Sequence, residues 1–190
     1  MGPLSIVIAS PTTPNTLSLA SSALRQVCSE VPHEVVQTDD FLLIVQRMFE
    51  IMYANDGAGL AAPQVGILWR LVVVHPSGDS LPPAVLINPR ITYASQEVEE
   101  GIEACLSLPD FQGLVPRSTH VVVESASLWG QAQQHDVWAW QARLLQHELD
   151  HLDGILYPLR MAEPRAIVNR SPYAEKARST IETVSHAPSI

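Results

Sequence analysis

The chain has 190 residues, enough for one domain that buries roughly 70% of the surface its unfolded form exposes. Its 20 Asp and Glu against 11 Lys and Arg give a net charge of −9, which argues against broad contact with nucleic acid or an anionic membrane surface. Two cysteines, Cys28 and Cys105, are too few for a disulfide framework, and no apolar run approaches the ~20 residues of a membrane span. In chain order, residues 1–22 read as an arm with a turn, the apolar patches Leu4 to Ile8 and Leu17 to Leu19 being separated by Pro11 to Asn15. The first 24 residues carry no charged side chain, unlike a secretory signal or an Arg-rich transit peptide, so a cytoplasmic protein is expected. One domain then spans 23–165, without internal repeats, and 166–190 form a tail.

From Asp39 or Asp40, both good N-caps, Phe41, Leu42, Val45, Met48, Phe49 and Met52 recur at helical spacing until Asn55-Asp56-Gly57 stops the helix. Arg70 to His75, Ala84 to Ile87, Ile91 to Tyr93 and His120 to Leu128 predict strands of an antiparallel or mixed sheet. Pro76-Ser77-Gly78-Asp79 and Leu81-Pro82-Pro83 supply turns between them. The period over Asp136 to His151 predicts a second helix, with Val137, Trp140, Leu144 and the His147/His151 pair on one side. Ile155 to Leu159 reads as a final strand, and the last ~15 residues are expected to be poorly ordered.

The second helix carries His147-Glu148-Leu149-Asp150-His151, an H-E-x-x-H sequence. Residues four apart share a helix face at about 6 Å, so both imidazoles reach one metal ion while Glu148 leans over the open coordination position. A catalytic site needs a third protein ligand, and Cys105, in a loop-like segment ending at Pro109, is the best candidate. A thiolate with two imidazoles suits Fe2+, Zn2+, Co2+ or Ni2+. Such an ion lowers the pKa of water, and Glu148 can take that proton and deliver it to a leaving amine, which implies hydrolysis of an amide-type bond. An H-E-x-x-H peptidase is disfavoured, since those enzymes draw a His or Glu third ligand.

Gly57-Ala58-Gly59-Leu60-Ala61-Ala62-Pro63-Gln64, Glu103-Ala104-Cys105-Leu106-Ser107 and Gln146 to His151, in this order, resemble the three signature motifs of the peptide deformylases, over about Leu24 to Pro164. The resemblance implies an α+β fold with small mixed or antiparallel sheets around a central HExxH helix. It also implies release of formate from N-formylmethionyl peptides. It implies the metal ligands Cys105, His147 and His151, with Fe2+ as native ion, and Glu148 as general acid and base. The Gln64 amide and the Leu106 backbone N–H would hold the formyl oxygen, and the Gly59 backbone would contact the peptide. Glu103 is expected to support the metal or Gln64, and Arg117 to stand at the groove mouth or on the surface. Trp140, Arg143 and Leu144 precede His147 by seven, four and three residues and border the side-chain pocket, Trp140 with a core role as the competing reading.

Two positions depart from the family pattern. Ala104 replaces the glycine usual before the ligand cysteine, so the cysteine loop must shift if that backbone needs positive φ. Ala58 stands where a bulky aliphatic is common, enlarging the pocket unless Trp138 or Trp140 fills it. The tail also lacks the basic helix that some deformylases use in transient ribosome contact. The alternatives to a housekeeping enzyme are a deformylase or deacylase of another N-formyl or N-acyl compound, and a non-catalytic peptide-binding relative, as monomer or dimer.

Overall fold

The computed structural model describes residues 21–76, 82–163 and 168–169, so the expectations for the arm, the turn at residues 77–81 and most of the tail lie outside the described residues. Helix α1, Asp39–Ala54, is capped by Thr38, whose Oγ1 accepts from Phe41 N at 3.3 Å. Asp39 and Asp40 occupy its first turn, where they complement the helix dipole, instead of the cap position predicted for them. Phe41, Ile44, Val45, Met48 and Met52 are its buried stripe, while Leu42, expected in the core, is exposed.

Strands β1 (Gly59–Ala61), β2 (Leu71–Val74), β3 (Ala84–Ala94), β6 (His120–Ala126) and β7 (Ala132–Trp138) form one antiparallel sheet in the order β1-β2-β3-β6-β7. Val72 and Val74 face α2 (Ala139–Leu152), whose Ala142, Leu145, Leu149 and Leu152 pack on that side. Leu71 and Val73 face α1. A strand buried on both faces reads as an unbroken apolar run, which is why β2 is Leu-Val-Val-Val. Strand β3 joins two runs that were predicted separately. Asn88 makes the join at φ +52, a backbone region that Asn tolerates, and its side chain bonds both polar groups of Val31.

The second sheet, β4 (Val98–Cys105), β5 (Leu108–Ser118) and β8 (Val168–Asn169), was missed in the sequence. Glu99, Glu100, Gly101 and Glu103 give β4 little intrinsic strand preference, and its pairing with β5 overrides that. The same override corrects the start of α2. Residues through Trp138 pair with β6, His120 opposite Trp138, so Val137 reaches the core from a strand, and the helix begins at Ala139. Tyr157–Arg160 is a 3-10 turn where a strand was expected, with Pro158 in its first turn, where a missing N–H costs nothing.

Candidate metal centre

Helix α2 lies between the two sheets, and Gln146, His147, Glu148, Asp150 and His151 are buried along with its apolar residues. Buried polar groups require partners. Gln146 pairs with the Ser118 backbone in both directions, accepting at 3.1 Å and donating at 2.9 Å, which ties the helix to the end of β5. Two buried side-chain atoms of the helix are left without a hydrogen-bond partner, Glu148 Oε2 and His151 Nδ1.

Cys105 ends β4 at a tight turn into β5, with a register shift between Ala104 and Cys105, so a strand end and not a loop carries the thiol. Ala104 pairs with Gln112 and is not among the positive-φ residues, so the alanine requires no shift of the cysteine segment. The ligand atoms of Cys105, His147 and His151 all lie within 4.8 Å of one another, and all three residues are buried. Cys105 Sγ is 3.3 Å from His151 Nε2, and the two imidazole rings meet edge to face at 5.0 Å. Burial, and then the charges of His147 and Arg117, hold His151 well below the usual imidazole pKa, which keeps a neutral ring with a free lone pair. A soft sulfur and two nitrogens converging in this way fit a borderline divalent ion.

Behind Cys105, His147 and His151 stands an ionic relay. His147 Nδ1 meets Glu103 Oε2 at 2.8 Å, which leaves Nε2 toward Cys105 and His151. Arg117 grips Glu103 through two bonds of 2.9 and 3.0 Å and reaches Asp150 at 2.6 Å, and Arg160 closes the chain on Asp150. Burial works against the Glu103 carboxylate, yet bonds from His147 and Arg117 bring its pKa down to about 2. Arg117 is 6% exposed, which overturns both of its expected placements, groove mouth and surface charge. No sequence signal marked Asp150 and Arg160 as its companions.

On the open side, a cleft of about 700 Å³ is lined by Gly57, Ala58, Gly59 and Gln64, by Ile102 to Leu106, and by Trp140, Arg143 and Leu144 of α2. Glu148 faces this cleft, and burial raises its carboxyl to about 7, with His147 opposing and Glu103 reinforcing the shift. A Cβ on Gly59 would lie 2.5 Å from Glu148 Oε1, so this glycine exists to admit the carboxylate, a role sequence reasoning did not find. Gln64 Oε1 accepts from Ala61 N at 2.8 Å, which turns its Nε2 toward Cys105 Sγ at 3.5 Å and Ser107 Oγ at 3.4 Å. Trp138 does not fill the pocket. It is 60% exposed and stacks on His120 at 3.6 Å, whereas Trp140 lines the cleft and is not core.

The family model described as Polypeptide deformylase matches residues 15–166. The chain belongs to the peptide deformylase family. A peptide deformylase 2 of Pseudomonas putida is 36% identical over 154 residues, covering 77% of this chain and 86% of the relative. A peptide deformylase of Roseiflexus castenholzii is 43% identical over 134 residues, covering 63% and 72%. Among solved structures, a peptide deformylase from Synechococcus elongatus in complex with actinonin is similar at a TM-score of 0.75 and 31% identity, over 95% of this chain and 93% of that one. A class I type b peptide deformylase from Acinetobacter baumannii with Met-Ala-Ser bound has a TM-score of 0.73 at 31% identity, over 77% and 96%. The chain is thus a metal-dependent hydrolase of N-formylmethionyl peptides, and its Cys-His-His group is able to hold the ion.

Proposed function

We propose that one divalent ion, Fe2+ in the native enzyme, with Zn2+, Ni2+ or Co2+ able to replace it, is held by Cys105, His147 and His151, and that Glu148 is the general acid and base of deformylation. The observation that carries this reading is the buried, unpartnered Glu148 carboxylate oxygen beside the ligand cluster. When bound, the ion supplies Lewis acidity and lowers the pKa of water toward neutrality. Glu148, raised to about 7, takes a proton from the water that adds to the formyl carbon, then passes it to the peptide nitrogen as the C–N bond breaks. Formate and a free amino terminus leave. The Gln64 amide and the Leu106 N–H donate to the formyl oxygen as charge develops there, each such donor being worth about 3 kcal/mol of barrier. Glu103 orients His147 for ligation, and the Gly59 backbone borders the peptide. Cys28 and Cys105 are both free, in keeping with a reducing cytoplasm. No helix among the described residues is long and apolar enough to cross a membrane.

The test is anaerobic purification with metal analysis, followed by formate release from formyl-Met-Ala-Ser. Glu148→Ala is expected to retain metal and lose turnover, and Cys105→Ala or His151→Ala to lose metal. Wild-type turnover in Glu148→Ala would remove the acid/base assignment.

A further inference from the structure

Among the described residues, Leu144 alone borders two cavities. One is the cleft of the metal centre. The other is a separate pocket of about 410 Å³ between α2 and the first sheet, lined by Val74, Leu86 and Val137 of β2, β3 and β7 and by Gln141, Leu144 and Leu145 of α2. Alternate residues of a strand share a face, so Gln133 and His135 of β7, which also line it, stand with Val137 on the side of the sheet that α2 covers. Gln133 Oε1 is buried without a hydrogen-bond partner, and a turn of the amide about its last side-chain bond presents that oxygen to the pocket. His135 meets Ser125 Oγ at 3.3 Å, and burial lowers its pKa, so the ring adds no charge at neutral pH. No other described residue of the lining is ionisable.

Such a lining selects by charge and by size. An ion would lose its hydration there and meet no counter-charge. A volume of about 410 Å³ bounded mainly by apolar side chains, with a few polar groups among them, suits a small organic molecule. We propose that this pocket is a regulatory binding site for an uncharged, largely apolar molecule with one hydrogen-bond donor, the class of the alkylphenols, and that Leu144 carries its occupancy to the metal cleft. The donor goes to Gln133 Oε1, the acceptor that the chain itself leaves unanswered. Leu144 packs against the α2 side of the core and has open space toward both cavities. A ligand that fills the pocket removes one of those spaces and favours rotamers of Leu144 directed into the cleft, where they narrow the room for substrate. Binding at the pocket is independent of the deformylase reading, and only its effect on turnover rests on that reading.

The experiment titrates 4-ethylphenol into the metal-loaded full chain by calorimetry. The controls are 1-ethyl-4-fluorobenzene, of nearly the same shape without a donor, and the charged 4-ethylbenzoate. 4-Ethylphenol is expected to bind with a Kd of about 1 mM or tighter, and about tenfold tighter than either control. At saturation the KM for formyl-Met-Ala-Ser is expected to rise about threefold, with kcat and metal content unchanged. Gln133→Leu is expected to bring 4-ethylphenol and its fluoro analogue to equal affinity. Ala84→Leu, which fills the pocket from β3, is expected to abolish binding, and Leu144→Ala to keep binding and lose the effect on KM. Absence of binding to the wild type, equal affinity for 4-ethylbenzoate, or binding unchanged in Ala84→Leu would overturn the site. A donor preference that survives in Gln133→Leu would overturn the role of its amide, and binding with unchanged KM would overturn the coupling through Leu144. Absence of formate from the unliganded enzyme would overturn the deformylase reading and leave the calorimetric result standing.

Discussion

Gly59→Ala is the substitution whose consequence the structure specifies most fully. The added Cβ meets Glu148 Oε1, Cδ and Cγ at 2.5, 2.8 and 2.9 Å. These distances are about 0.5 to 1 Å inside the ordinary contact distance of about 3.5 Å. Glu148 is 3% exposed, on a helix fixed to β5 by Gln146 and to β4 by the His147–Glu103 bond, so the carboxylate cannot retreat with the backbone. The relief is a rotation of the Glu148 side chain by about 1 Å, and a misplacement of that size costs a catalytic group on the order of 100-fold in rate. Overpacking adds about 1 to 3 kcal/mol of destabilisation. The three atoms nearest the new methyl group all belong to Glu148 and none to Cys105, His147 or His151. The expected outcome in the formate-release assay is therefore a kcat about 100-fold lower with metal content unchanged. A Gly59→Ala enzyme with wild-type kcat would refute the reasoning, since Glu148 could then act from a different position.

Arg117→Met would leave Glu103 and Asp150 buried without their shared cation, a loss of about 3 to 5 kcal/mol that urea denaturation would read. Arg117→Lys is not expected to restore it, since an ammonium presents its donors from one nitrogen and cannot span both carboxylates as the three nitrogens of the guanidinium do. Burial pushes the Cys28 thiol from 9.0 up to about 11, with Arg70 opposing and Asp153 assisting. Between those pH values the folded chain keeps a proton that the unfolded chain has released, so stability falls as pH rises from 9 to 11. The alkaline decline in denaturation midpoint is expected to be shallower in Cys28→Ala, and an equal slope in both proteins would contradict the burial argument.

The elements legible in the sequence are those whose pattern is local. The apolar stripe of α1, the unbroken run of β2 and the HExxH helix each repeat within a dozen residues, and each is found, although Leu42 leaves the stripe of α1 and α2 begins at Ala139 instead of Asp136. The β4–β5 hairpin was illegible for the opposite reason. Four acidic or glycine positions in β4 are tolerated because Glu103 turns inward onto Arg117 and His147 while Glu99 and Glu100 remain exposed. Asp136 to Trp138 likewise read as helix until the ladder with β6 and the 2.6 Å contact of Asp136 with His120 are seen.

The site divides along the same line. Cys105, His147 and His151 could be grouped from the sequence because ligand chemistry restricts residue type and the two histidines share a helix face, and their ligand atoms do lie within 4.8 Å of one another. Arg117 could not, because nothing in Val115-Pro116-Arg117 indicates that the side chain turns inward. Its burial follows from two buried carboxylates 47 residues apart in sequence, Glu103 and Asp150, which its guanidinium bridges. Asp150 sits inside the HExxH segment at a position the motif leaves free, and it carries no ligand role. Its bonds to Arg117 and Arg160 anchor the turn of α2 that holds His147 and His151, so a residue invisible to the motif fixes where the two imidazoles point.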